Sequence, residues 1–173
     1  WARGGKLVPG CYYLLVTMNG TLLGVCGLAA GLCGTSANFL VPLQLGAMDM
    51  ASPFLNMLSY WFFFTDSIVM LSSLFVQTGP ASGGWTIYPP LSALGDASDG
   101  SKIGMDLWLV SMALFIVSQL LAGLNYISTI LNMRTKGMSM TRIPLTIWAL
   151  FFTAVLGVLS FPVLLSGANL LLF

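Results

Sequence analysis

Long runs of apolar residues separated by short polar stretches dominate the chain. Four runs exceed the roughly 20 residues that a helix needs to cross a bilayer, at residues 12–34, 55–77, 107–131 and 145–172. Between them lie a turn around Asp49, a polar loop over residues 78–106 and a basic turn beginning at Arg134. Because backbone groups in lipid must hydrogen-bond within their own segment, each run predicts a helix. The pattern therefore predicts an all-α integral membrane protein, with residues 1–173 forming one four-helix membrane segment.

The composition agrees with this pattern. Hydrophobic residues make up 57% of the chain and charged residues 6%, there is no histidine, and the mean hydropathy is +0.93. A soluble domain carries about a quarter charged residues, so the chain cannot cover a soluble surface. The net charge is +1 and no basic run is present, which argues against a nucleic-acid partner. The three cysteines form no CxxC pair and are expected to be reduced packing residues.

Five glycines recur in the first apolar run at alternating steps of four and three residues: Gly20, Gly24, Gly27, Gly31 and Gly34. We call them the glycine stripe, because these steps return to one face of an α-helix. A glycine inside a helix costs about 1 kcal/mol relative to alanine, so close packing must offset that cost. The stripe predicts either a tight helix–helix seam or a flat molecule, such as a pigment, quinone or lipid, lying against the helix.

Asp66 lies near the middle of the second apolar run. A charge at the centre of a membrane costs about 2.5–3.5 kcal/mol or more, so an intramembrane carboxylate indicates a functional site. Asp66 could exchange a proton or pair with a lysine of a partner. It could equally be structural, either protonated or bonded to Thr65, Ser67 or a neighbouring helix, and both interpretations stay open.

Five ordered runs of residues are distinctive. They are NFLVPLQLGAMDMASP at 38–53, LNMLSYW at 55–61, GWTIYPPLS at 84–92, NYISTILNMR at 125–134 and GMSM at 137–140. Together they resemble the large catalytic subunit of cytochrome c oxidase, subunit I of the heme-copper oxidase family. The resemblance implies the second to fifth transmembrane helices of that bundle. The chain is therefore expected to be part of something larger, with the copper ligands and the high-spin heme ligand on helices outside it.

Asn19 is the main departure from the family. In the family this position of the MNGT motif holds a histidine that ligates the low-spin heme, and asparagine is a poor iron ligand. The turns that line the heme in the family carry Gly24, Val25, Cys26 and Gly27 here. We therefore expect no metal site, no cofactor bound by this chain alone and no catalysis by it alone. Contact with a heme, pigment, quinone or lipid is expected only within a complex.

Asp49 stands where the resemblance implies the opening of a proton-uptake channel, with Asn38 and Asn56 lining its entry. A carboxylate at the membrane edge collects protons, and amide side chains can order the water that relays them. An aspartate in a short turn also fits a solvated side chain or a helix cap. The family has an arginine in this turn where Phe54 stands, and its interior proton acceptor lies in a later helix.

Three functions are compatible with these observations. The chain could be a structural or assembly component of a larger respiratory or electron-transfer complex, without heme ligands of its own. It could be one piece of a split, active oxidase subunit that contributes the proton-uptake entrance, or a small proton or ion transporter using Asp49 and Asp66. The expected partners are the bilayer and other membrane subunits, in a bacterial or mitochondrial inner membrane. The Asp49 turn and the Arg134–Arg142 turn are predicted to face the cytoplasmic or equivalent negative side.

Overall fold

The computed structural model of the chain describes residues 9–76, 79–90 and 102–172, and these residues are mostly helical. The helices are α1 (Pro9–Thr21), a π-helical segment (Leu22–Thr35), α2 (Ser36–Leu45), α3 (Pro53–Ser72), α4 (Lys102–Asn132) and α5 (Leu145–Leu172). Single 3₁₀ turns follow α3 at Ser73–Phe75 and precede α5 at Met140–Arg142. No strand occurs within the described ranges, and the predicted all-α membrane fold is confirmed.

Three helices in the described part of the chain are long and apolar enough to cross a membrane: Pro53–Phe75, Lys102–Asn132 and Leu145–Leu172. They correspond to the second, third and fourth predicted spans, although the first of these helices ends at Phe75 and residue 77 of its predicted span lies outside the described residues. The third helix begins inside the predicted polar loop rather than at residue 107, and residues 91–101 of that loop lie outside the described residues. The first predicted span falls on α1, the π segment and α2, which follow one another without a break. That this stretch crosses the membrane stays a prediction.

Helix α4 lies at the centre of the bundle, packed between α3 and α5. In its most apolar stretch 44% of the residues are buried, against 17% in α3 and 11% in α5. One end of the core joins α2, α4 and α5 through buried apolar side chains at Ala37, Val41, Leu45, Ala122, Tyr126, Ile130, Ile147 and Ala154. Most of α5 instead faces outward, as expected for a helix that meets lipid or another subunit.

Helices α3 and α4 meet along small and polar residues that recur every seven positions. Ser52, at the head of α3, donates its N–H to Asn125 Oδ1 at 2.9 Å, and Ser118 Oγ donates to the Ser59 carbonyl at 2.7 Å. A third layer brings Asp66 opposite Ser111. We call these three layers the α3–α4 seam. Small residues let the two helices approach closely, and the polar groups bond across the interface.

A tight turn holds the Asp49 and Arg134 turns at the same end of the bundle. Gly46 ends α2 with φ 69°, a left-handed conformation that favours glycine. A side chain at Gly46 would collide with the Thr135 methyl group, and Thr135 N–H donates to the Leu45 carbonyl at 3.3 Å. The fold thus places both turns together. The side of the membrane that they face stays a prediction.

The glycine stripe does not form one continuous face. Four of its five members lie in the π segment, whose hydrogen bonds run from i to i+5 and whose turns are wider than those of an α-helix. Steps of four and three residues no longer return to the same side there, so the expected single face is wrong. Four glycines within one segment weaken the preference for the tighter α-helix, because glycine restricts the backbone least.

The glycines also differ in what surrounds them. A Cβ added at Gly20 would lie 3.1 Å from Trp85 Cβ, so this glycine packs beneath the indole. A Cβ added at Gly24 or Gly34 would meet nothing within 4 Å among the described residues, and one added at Gly27 or Gly31 would meet only carbonyl oxygens of the π segment. Within the described chain, an added Cβ would meet another element only at Gly20, although the Gly34 carbonyl accepts the Tyr126 hydroxyl of α4 at 3.4 Å. A seam or flat ligand at the other four stays a prediction about a partner.

Candidate functional site

A cleft of about 560 Å³ opens between the π segment, α2, α3 and α4. We call it the polar cleft after the carboxyl, amide and hydroxyl groups among its otherwise apolar lining. Its lining includes Asn38 from α2, Asp49 from the following turn and Asn56 from α3. The three residues predicted to form a proton entrance are therefore brought to one surface. Gly31 and Gly34, at the end of the glycine stripe, line the same cleft, whereas Asn19, Gly20, Gly24 and Gly27 do not.

Asp49 is exposed at the cleft, and its Oδ1 accepts the Met50 N–H at 2.7 Å. It does not cap the next helix. Ser52 holds that position, with its hydroxyl accepting the Leu55 N–H at 3.4 Å. The alternative of Asp49 as a helix cap is therefore wrong, because α3 starts four residues later, at Pro53, and Ser52 occupies the capping position. Asp49 is left as a solvated carboxylate at the edge of the cleft.

The interior of the cleft carries amide and hydroxyl groups that can bind water. Asn38 Oδ1 is buried and accepts no hydrogen bond from the described residues. Buried polar atoms in proteins are almost always satisfied by protein or by ordered water. A cleft of this volume has room for several water molecules bonded to such groups. The arrangement can hold a chain of water leading inward from Asp49.

Two serines of this site were not predicted. Ser59 and Ser118 both line the cleft, and the Ser118 hydroxyl bridges α4 to α3. The signal that could have found them is the spacing of seven residues from Ser52 to Ser59 to Asp66, matched by Ser111, Ser118 and Asn125 on α4. Small polar residues at that period in two apolar runs indicate a pair of helices packed along a polar seam.

Asp66 is fully buried and is not on the lining of the cleft. The Thr65 hydroxyl donates to the Trp61 carbonyl and the Ser67 hydroxyl to the Phe63 carbonyl. The suggested bonds from these two hydroxyls to Asp66 are therefore absent, because both face back along their own helix. The carboxyl points instead toward Ser111 on α4.

The position corresponding to the family's low-spin heme ligand does not fit a heme. Asn19 is exposed and offers an amide, whereas the adjacent Met18 is 3% exposed and packed inward. The inward face of α1 is used for structure. Thr17 Oγ1 accepts the Gly84 N–H at 2.9 Å, and Thr21 Oγ1 accepts the Trp108 indole N–H at 3.2 Å. These residues offer no imidazole nitrogen to an iron atom at this position.

A second cavity, of about 720 Å³, lies between the first helical stretch, the 84–88 turn, α4 and the end of α5. Its lining is mostly apolar and includes Val25, Trp85, Trp108, Met112 and Leu164. No member of the glycine stripe lines it. The volume suits an apolar occupant, either a helix side or a small molecule.

Comparison with known proteins identifies the family of the chain. The family described as "Cytochrome C and Quinol oxidase polypeptide I" matches residues 2–173. The chain belongs to this family. The predicted resemblance to the oxidase subunit I is thereby confirmed, and the polar cleft belongs to a subunit I-like fold.

Individual oxidase subunits from distant organisms are similar to this chain. It is 42% identical to the "Alternative cytochrome c oxidase subunit 1" of Bradyrhizobium diazoefficiens, over 93% of this chain and 27% of the relative. It is 43% identical to the "Cytochrome c oxidase subunit 1" of Candida albicans, over 82% and 26%. The "Heme-copper oxidase subunit I+III" of Aeropyrum pernix is 37% identical, over 98% and 20%. The chain thus spans about a quarter or less of the length of these relatives.

Proposed function

We propose that this chain acts within a larger membrane complex of the oxidase type and contributes its proton-uptake entrance. The observation that carries the proposal is the single cleft lined by Asn38, Asp49 and Asn56. These residue types match the chemistry of proton entry that the family resemblance implies. The partners are other membrane subunits in the same bilayer.

The cleft supports a simple division of roles. The exposed carboxylate of Asp49 can take a proton from bulk water at the membrane edge. Amide groups of Asn38 and Asn56 can then orient water along the cleft, because an amide both donates and accepts hydrogen bonds. The Ser59 and Ser118 side chains lie farther along the lining, where α3 and α4 close together. Protons thus enter at the turn and move toward the α3–α4 seam.

We also propose that the low-spin heme receives no ligand from Asn19. Exposed Asn19 and inward-packed Met18 support this, since neither presents an imidazole nitrogen on the surface. Heme, pigment, quinone or lipid would contact this chain only within the complex. A Soret band with stoichiometric heme from the chain purified alone would contradict this part of the proposal.

The proton-entry role is tested with Asp49→Asn in the assembled complex, with Asp106→Asn as the matched control. Asp106 is a partly buried aspartate near the start of α4, at the other end of the bundle. We expect Asp49→Asn to slow proton uptake during turnover by at least about tenfold, equivalent to about 1.4 kcal/mol. Asp106→Asn should leave uptake unchanged. Equal rates for both variants would exclude the proposed entrance.

A purely structural or assembly role is the second candidate. The observation that favours it is the outward apolar face of α5, where Leu156, Leu159 and Val163 are 65–70% exposed. A face of this kind suits lipid or a neighbouring subunit. If proton uptake survives Asp49→Asn while the complex still requires the chain for assembly, this second function is the correct one.

A further inference from the structure

The α3–α4 seam has three layers, and the layer of Asp66 is the only one without a hydrogen bond between the two helices among the described residues. In the Ser52–Asn125 and Ser59–Ser118 layers, a donor from one helix meets an acceptor of the other at 2.7–2.9 Å. In the Asp66–Ser111 layer, the carboxyl is 0% exposed and neither of its oxygens accepts a hydrogen bond from the described chain. Each of the other two layers has a hydrogen bond across the interface, although the Asn125 amide nitrogen is also buried without a partner among the described residues. The seam register thus places at Asp66 a carboxyl with both oxygens unbonded.

The surroundings of Asp66 favour one protonation state. The Ser111 hydroxyl has a single proton, which it donates to the Trp108 carbonyl at 3.1 Å. Its oxygen retains lone pairs that can accept a hydrogen bond. While the Ser111 proton is on the Trp108 carbonyl, Ser111 offers no donor to a carboxylate, whereas a carboxylic acid needs only an acceptor for its O–H. Ser111 Oγ is such an acceptor, so the neutral acid is the form that this layer can satisfy.

We propose that Asp66 is a proton-binding site that holds one proton as a neutral acid and exchanges it with the polar cleft. The acid O–H donates to Ser111 Oγ, extending the bond from Ser111 to Trp108. The groups that face Asp66 are the Ser111 hydroxyl from α4 and, at longer range, the Cys26 thiol from the π segment. Neither is a permanent charge that would hold the carboxyl ionised.

Two residues that border both the polar cleft and Asp66 indicate the path by which the proton is exchanged. Cys26 lines the polar cleft and lies within electrostatic range of Asp66. Phe63 also lines the cleft and precedes Asp66 by three residues, about one turn of the helix. Phe63 therefore lies about 4.5 Å from Asp66 along the axis of α3. This proposal shares the cleft with the proposed proton entrance but concerns a different residue and a separate measurement.

The first test labels membranes that contain the assembled complex with the apolar reagent dicyclohexylcarbodiimide. The proton of the acid moves to a carbodiimide nitrogen as a carboxyl oxygen bonds to the central carbon, so only the protonated acid reacts. Mass spectrometry of the digested chain should find the adduct on Asp66, and Asp66→Asn should lack it. This measurement succeeds on the unaltered protein even if the variant fails to fold. An unlabelled Asp66 at neutral pH, with other buried acids labelled, would overturn the proposal.

The second test follows exchange by infrared spectroscopy after transfer into D₂O. The C=O band that is lost in Asp66→Asn should shift as the acid takes up deuterium. Gly34→Leu fills the cleft, where an added Cβ meets no atom within 4 Å, and should slow the shift. Gly24→Leu has equal space but does not line the cleft, so it should leave the rate of the band shift unchanged.

Each infrared outcome decides the matter. A band that never shifts, or that shifts equally fast in Gly34→Leu and Gly24→Leu, would show that the cleft is not the route. The adduct and the band report a resident proton rather than turnover. If the adduct and the band are present but Asp49→Asn leaves proton uptake unchanged, only the proposed entrance fails. If they are absent but Asp49→Asn slows proton uptake, only the proposal for Asp66 fails.

Discussion

Two regions of this chain carry small residues at helical spacing, and only in one region are these residues buried against a second helix. In the α3–α4 seam, Ser59, Asp66 and Ser118 are each at most 7% exposed and face a second helix. In the first helical stretch, Gly24, Gly27 and Gly31 are exposed, with no other element of the described chain against them. The seam has a partner helix in register, and the stripe has none within the described chain.

The difference shows that small residues permit close approach but do not cause it. Membrane helices associate through van der Waals fit and bonds across the interface, so the partner must present complementary groups at the same spacing. Helix α4 repeats its serines and Asn125 at the seven-residue period of α3. The π segment follows a wider turn that disperses its glycines. If those glycines pack, their partner is another chain or a flat ligand.

The largest effect is expected for Ser118→Leu in the seam. The larger side chain would push α3 and α4 apart and leave the Ser59 carbonyl without its 2.7 Å bond. We expect a loss of about 3 kcal/mol of unfolding free energy, from overpacking together with one lost bond. Thermal unfolding in detergent, followed by circular dichroism, measures it. The control is Ser128→Leu on the exposed side of the same helix; equal melting temperatures would contradict the seam.

Asn125→Ala should have the next largest effect. It removes the acceptor of the Ser52 N–H and leaves that backbone donor without its 2.9 Å partner. An unsatisfied buried donor costs about 1–3 kcal/mol, and the Ser52 N–H is only partly buried, so we expect a loss of about 1.5 kcal/mol, in the lower half of that range. Asn132→Ala, at the exposed end of α4, serves as the control in the same unfolding assay. A melting temperature for Asn125→Ala that matches this control would show that the Ser52–Asn125 layer of the seam contributes nothing to stability.

Ser52→Ala tests the helix cap separately from the seam. The variant keeps the backbone N–H that bonds Asn125 but loses the hydroxyl that accepts the Leu55 N–H. Loss of a serine cap typically costs about 1 kcal/mol, and we expect that change in the unfolding free energy. Ser139→Ala is the control, because the Ser139 side chain makes no capping bond. If Ser52→Ala lost more unfolding free energy than Asn125→Ala, the helix cap would contribute more to stability than this layer of the seam, contrary to the prediction.

The smallest effect on the chain itself is expected for Gly27→Leu in the stripe. A Cβ there approaches only the Leu22 carbonyl, at 3.5 Å, so the unfolding free energy should change by no more than about 0.5 kcal/mol. In the complex the same variant should release a partner that packs on the stripe, whereas Val16→Leu should not. Co-purification of the other subunits measures this. Equal recovery of both variants would mean that the stripe faces lipid.

Part of the cleft lining was predictable because it lies in the runs of residues that carry the family resemblance. The resemblance carried by these runs implied that Asn38, Asp49 and Asn56 lie together, and the fold brings them to one cleft, whereas their role in proton entry stays a proposal. The contributions of Ser59 and Ser118 were missed, since serine is common in membrane helices and its role depends on the helix opposite. The capping alternative for Asp49 failed for a local reason, because Ser52 was equally able to cap and lies closer to the helix.

The sequence by itself determined the solvent of this protein, the positions of its apolar helices and its family. Apolar run length and the cost of unpaired backbone groups in lipid leave no other solution for these segments. Only the tertiary structure decided which small residues are buried. Register between α3 and α4 sets Ser118 against Ser59 and Asp66 against Ser111, whereas the turn width of the π segment scatters the glycines. A side chain's burial depends on what faces it, and that partner lies far away along the chain.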